Sequence, residues 1–187
     1  MNKLSRLMLW LLPLLTVLIL GTAFGPKAGQ RYTSAPDTVV YIVRHAEKDL
    51  TPNLPDPALT PVGQARALAL RKRLASRPRI RGVFSTNTGR TRATAQPLAE
   101  RYGLPIENYD AKQLPALAER IKRDFRGQAV LIVGHSNTIL ETVEAFGAAR
   151  PVASIGDDAY DYLLKVTIPG SAAGPATAVA EHYGAKH

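Results

Sequence analysis

The chain reads as an α/β protein, a three-layer α/β/α sandwich built on a mostly parallel central sheet. Three observations predict this. Apolar runs alternate with segments of helical periodicity, the order that builds a parallel sheet with helices on both faces. The runs Val39–Val43 and Val130–Val133 are apolar on consecutive residues, as strands buried on both faces require. Each run leads into a histidine, through Arg44 to His45 and through Gly134 to His135. In open α/β sheets, ligands bind just beyond the carboxyl ends of the strands.

The first strand spans about Thr38 to Val43, and a loop rich in proline and acid follows from Glu47 to Ala58. Thr60-Pro61 reads as a helix N-cap with proline in the first helical position. Gly63, Ala67, Leu70 and Leu74 then fall on one helix face, with Arg66, Arg71, Lys72 and Arg73 mostly on the others. Ile80–Ser85 is the second strand. A helix from about Arg90 to Tyr102 stops at Gly103, with Pro97 predicting a kink or a late start. Leu104–Ile106 is a short third strand, Leu114–Phe125 a helix, Ala129–Val133 the fourth strand and Asn137–Gly147 a further helix. Tyr162–Ile168 is the last strand expected. One domain over residues 38–170 results, with 25–37 as a linker and 171–187 as a loose tail.

Residues 1–24 read as a targeting segment. Lys3 and Arg6 precede an uncharged, strongly apolar run from Leu7 to Phe24. This is the layout of a secretory signal peptide, and the run also reaches the length of a membrane-spanning anchor. Either reading exports the domain to the periplasm or to the outer face of the inner membrane. Uncleaved, residues 7–24 contact the membrane and the basic start stays cytoplasmic.

Composition narrows the chemistry. The 187 residues include no cysteine, which excludes disulfides, thiolate nucleophiles and thiolate metal sites. The formal net charge is +9, and ten basic residues against one acid lie between Arg66 and Arg101. Such a stretch is either a solvated helix face or a field that draws anions toward a cleft. Nucleic acid is not the expected partner, because the aromatic fraction is 6% and no recognition module is present.

Three elements meet at one sheet edge if the strands are parallel: Arg44-His45, Ser85–Arg92 and Gly134–Asn137. Arginine forks match the oxygens of a phosphoryl group, so Arg44 and Arg90 can grip one. Helix N-termini near Arg90 and Asn137 add backbone N–H donors. A histidine attacks phosphorus as the neutral imidazole, a form that neighbouring arginines favour. One histidine is then a nucleophile and the other a ligand of the phosphate. No HxH or HExxH spacing marks a metal site.

These residues also resemble a known family. Val43–Lys48 (VRHAEK) resembles the Arg-His-Gly signature of the histidine phosphatase superfamily, which includes the phosphoglycerate mutases, with Ala46 in place of glycine. Leu59-Thr60 with Gly63 and Ala67 resembles its LTxxGxxQA helix start, with Arg66 in place of glutamine. Ser85–Ala95 resembles its second arginine motif, and Gly134–Asn137 its second histidine motif. The resemblance implies a phosphoglycerate mutase-like fold and a metal-independent phosphoric monoester hydrolase without cofactors. It implies His45 as the nucleophile that becomes phosphohistidine, with Arg44, Arg90 and His135 completing the phosphate pocket. Members often carry a carboxylate proton donor after the third strand, and Asp110 is the candidate here. Adjacency puts Glu47 and Asn137 at the pocket, and Arg92 is expected to bind substrate with them. The expected substrate is a phosphorylated small molecule or an envelope phosphate. A phosphohistidine protein phosphatase and a non-catalytic phosphate-binding module on the same fold are the competing readings.

Overall fold

The structure is a computed structural model that describes residues 35–171 and 174–186. The expectations for residues 1–24, and for the linker before Ala35, lie outside the described residues. No helix among the described residues is long and apolar enough to cross a membrane.

Six strands form one sheet in the order β3-β2-β4-β1-β5-β6. They are β1 (Thr38–Arg44), β2 (Ile80–Ser85), β3 (Ile106–Asn108), β4 (Ala129–Gly134), β5 (Tyr162–Ile168) and β6 (Thr177–His182). The first four are mutually parallel where they pair, while β5 runs antiparallel to β1 and β6 antiparallel to β5. The predicted mostly parallel sheet is therefore present, with an antiparallel pair at one edge.

Among the described residues four helices cover it: α1 (Pro61–Ala75), α2 (Gly89–Tyr102), α3 (Leu114–Asp124) and α4 (Ile139–Ala145). The sheet's alternation sorts them into two layers. Val40 and Ile42 of β1, with Val130 and Ile132 of β4, pack against Leu117 and Ile121 of α3 and Ile139 and Val143 of α4. Tyr41, Val43, Leu131 and Val133 face the opposite way, onto Leu70 and Leu74 of α1 and Leu98 and Ala99 of α2. This is why both central strands read as unbroken apolar runs.

Helix starts follow local chemistry. Thr60 caps α1, its Oγ1 accepting from the Gly63 N–H at 3.1 Å, with Pro61 at the first position. Gly63 lets α1 press on the loop after β1, because a Cβ there would lie 2.2 Å from the Glu47 carbonyl oxygen. The α2 helix runs unbroken through Pro97 from Gly89, so no late start occurs, and it ends at Gly103 in the left-handed region at φ 63°.

Three expectations are corrected. The third strand is Ile106–Asn108 rather than Leu104–Ile106, displaced because its pairing with Val83–Ser85 of β2 sets the register. The helix expected over 137–147 is shorter, because Thr138 N–H and Ile139 N–H fold back onto the His135 carbonyl in a turn before α4 begins. The tail expected to be loose supplies β6, paired along β5 from Thr177 to His182. Alternation in Thr177–His182 is weak, and only the cross-strand hydrogen bonds and the buried Tyr183 that follows make it a strand.

Candidate active site

Register brings the two histidines together. Arg44 of β1 is paired with Gly134 of β4, so the next residues on adjacent parallel strands are His45 and His135. The His45 N–H donates to the Gly134 carbonyl at 2.9 Å. Their rings lie edge to face with centroids 5.5 Å apart. Ser85, at the end of β2, is level with Val133. The turn into α2 therefore delivers Arg90 to the same edge.

Together these residues line an open cleft of about 890 Å³ at the carboxyl ends of the strands. Arg44, His45, Arg90, His135 and Asn137 all line it, as expected. Three other expected residues do not. Glu47 is turned away, its carboxylate accepting from Arg66 Nε at 2.8 and 3.0 Å in a buried ion pair. A carboxylate so buried needs a paired cation, and this supplies it. Arg92 points to the Asn108 side chain at 2.8 Å. Asp110 lies in an adjoining cleft that shares His135, where its Oδ1 caps its own turn by accepting from the Lys112 N–H at 2.9 Å.

His45 is buried, and its Nδ1 is 2.8 Å from the Ala46 carbonyl oxygen. A carbonyl only accepts, so Nδ1 carries the proton and Nε2 keeps a lone pair. Burial drives the pKa down to about 4, reinforced by the charges of Arg44 and Arg90 and by His135, against the raising effect of the Ala46 hydrogen bond. The imidazole is accordingly neutral at neutral pH. His135 is lowered in the same direction, by burial and then by Arg90 and Arg44. Its Nε2 is 2.9 Å from Thr86 Oγ1, which fixes the ring.

The arginines are held at one end only. Arg44 Nη1 donates to the carbonyls of Asp157 at 2.7 Å and Gly156 at 3.3 Å, and its guanidinium lies 4.0 Å from the Tyr160 ring centroid. Arg90 Nη1 donates to Asp56 Oδ1 at 3.2 Å. The Nε atoms of both arginines are buried with no hydrogen-bond partner among the described residues. Buried donors of this kind are costly unless a ligand uses them. Thr94 ties the two turns, its Oγ1 accepting from the Ala46 N–H at 2.9 Å and donating to the Arg90 carbonyl at 2.8 Å. At the start of α2 the Gly89 N–H is already engaged by Asp56 Oδ2 at 2.7 Å.

Sequence reasoning missed the segment between α4 and β5. Asp157, Asp158 and Tyr160 line the cleft from that segment, as do Lys48 and Leu50 from the loop after β1. Nothing in the spacing of residues 156–160 marks them, and in the fold Arg44 holds the carbonyls of Gly156, Asp157 and Ala159.

Comparison with known proteins bears on the fold. The family model described as histidine phosphatase superfamily (branch 1) matches residues 40–114. No curated protein matches the chain. Among solved structures, a protein from Nakamurella multipartitia, assigned as the phosphohistidine phosphatase SixA, aligns at 21% identity and TM-score 0.56, over 81% of this chain and 99% of that one. The matched residues include the first histidine and the arginine turn, and the chain shares the fold of this neighbour. Its likeness extends to an Agrobacterium tumefaciens protein with the same assignment, at 22% identity and TM-score 0.54, over 80% of this chain and 99% of that one. A mycobacterial glucosyl-3-phosphoglycerate phosphatase in complex with VO3 aligns at 14% identity and TM-score 0.58, over 79% of this chain and 99% of that one. What the chain shares with these structures is the fold.

Proposed function

We propose that the protein is a phosphomonoester hydrolase working through a phosphohistidine on His45. The observation that carries this reading is the state of His45: a neutral ring with Nδ1 pinned to Ala46, its free Nε2 in a cleft with two arginines whose Nε donors are unengaged. Nε2 attacks phosphorus in line, the N–P bond forms and the ester P–O bond breaks, the leaving oxygen taking a proton from water in the open cleft. Water then attacks phosphorus, the N–P bond breaks, and phosphate leaves with His45 neutral again. Arg44, Arg90 and His135 hold the equatorial oxygens as charge spreads over them. No step requires a metal or an organic cofactor.

The deciding experiment is release of phosphate from an aryl phosphate, combined with acid-labile labelling of the protein. Wild type is expected to turn over and to trap label, and His45→Ala to do neither. Equal hydrolysis by both would remove His45 from the chemistry.

A second reading, phosphohistidine protein phosphatase, is favoured by two facts: the two neighbours assigned as SixA, and the position of Asp110 outside the His45 cleft. Phosphohistidine has a labile bond whose leaving group needs less protonation. The apolar run at residues 7–24 supports an exported domain acting on a small or envelope phosphate instead. A topology reporter fused to the chain, read on both sides of the membrane, separates these readings.

A further inference from the structure

Two carboxylates, Asp157 and Asp158, stand in the wall of a cleft otherwise furnished with cations. The chain carries a net charge of +9, and Arg44, Arg90 and Lys48 line the same cleft. Neither aspartate forms an ion pair with any of them among the described residues. The nearest side-chain contact of Asp157 is neutral, Ser136 Oγ at 3.4 Å from Oδ1. Ser136 immediately follows His135, and all three residues line the cleft.

The placement of these acids is built into the grip. Arg44 Nη1 donates to the carbonyls of Gly156, Asp157 and Ala159, and the Tyr160 ring covers the guanidinium. Arg44 Nε remains buried and without a partner. Arg44 thus lines the cleft and, through Nη1, holds the backbone of the segment that bears the acids. Resting on the phosphatase reading above, we propose that the cleft selects phosphomonoesters whose leaving group carries an ammonium group close to the phosphate, with Asp157 and Asp158 binding that cation.

A cleft ruled by its basic residues prefers a second anion on the substrate. A cleft with this acidic wall prefers a cation. The full-length protein is assayed for kcat/KM on ethanolamine phosphate, ethyl phosphate and phosphoglycolate, which are similar in size and differ in charge. Ethanolamine phosphate is expected to exceed ethyl phosphate by about 5- to 10-fold, as one or two exposed charge pairs provide, with phosphoglycolate last. In Asp157→Asn/Asp158→Asn the ratio of the first two falls to about one, and high salt lowers it in wild type.

A ratio at or below one in wild type, or a ratio retained in the double variant, overturns the proposal. Turnover of an aryl phosphate that depends on His45, found together with a ratio of one, overturns the substrate class alone. If no ester is hydrolysed, the hydrolase reading fails. Calorimetric Kd values of ethanolamine phosphate and ethyl phosphate for the His45→Ala protein then read the selection directly, and equal or absent binding of the two overturns it.

Discussion

His45 shows how one side chain is set by its surroundings. Because its folded pKa lies near 4, the ring stays a nucleophile well below the ordinary histidine range. The acidic limb of kcat/KM, corrected for the ionisation of the substrate, is expected near pH 4 rather than 6.5. A pH–rate profile with a limb at 6.5 would contradict this. The same shift predicts a stability change with a definite sign. Between pH 6.5 and 4 the unfolded chain takes up a proton that folded His45 refuses, so stability falls as the pH falls through that window. The loss levels off below it, at on the order of 3 kcal/mol, and His45→Asn removes that slope from urea melts recorded across the window. Arg44 carries a second residue-scale prediction. Arg44→Lys keeps the charge but not the fork, so it loses the hold on the 156–160 segment together with the phosphate contact. A fall in kcat/KM of about 10²- to 10³-fold is expected from steady-state assays.

At the scale of elements, what the sequence reveals depends on whether the signal is local. The strands that carry the histidines, the Thr60 cap and the Gly103 stop are written in a few adjacent residues, and each appears in the structure close to where the pattern puts it. Arg44, Arg90 and His135 were legible for the same reason, since each directly follows or closely follows a strand end. The partners of Glu47 and Arg92 were not legible. Adjacency to His45 pointed Glu47 toward the cleft and Arg92 was expected there with it, while a buried pair with Arg66 and a contact with Asn108 turned them away. Arg66 itself sits among basic residues that read as a solvated face, yet it is buried on α1. Its removal tests this. Arg66→Leu leaves the Glu47 carboxylate without its cation and is expected to cost about 3–5 kcal/mol, measured by denaturant unfolding. A change under 1 kcal/mol would show that water compensates Glu47.

Across the whole molecule, the sheet sets the chemistry. The spacing of the two histidines follows from the pairing of β1 with β4, so the site is a property of backbone register as much as of side chains. The antiparallel edge matters as well. Arg73 and Arg77 reach from α1 and the turn after it to Glu181 of β6, joining this edge to the helical layer. Removing residues 171–187 deletes β6 and the buried Tyr183. The truncated chain is expected to lose cooperative unfolding, and a sharp thermal transition retained without those residues would show that the tail is dispensable. The net charge acts over a longer range. For a net-anionic phosphate ester, kcat/KM is expected to fall severalfold as ionic strength rises through ~0.1 M, where the screening length is about 10 Å.

The Arg66 guanidinium also reaches the carbonyls of Tyr183 and Ala185, each at 3.1 Å, while its Nε holds Glu47, two residues after the nucleophile. That arrangement has a consequence for biosynthesis. Every side chain proposed to touch phosphate has been translated by residue 135, but the brace behind the nucleophile's loop is finished only when residues 183–185 arrive. A nascent chain halted between those points contains every one of those residues but not the brace, so the site is completed only after the chemistry-bearing sequence is already made.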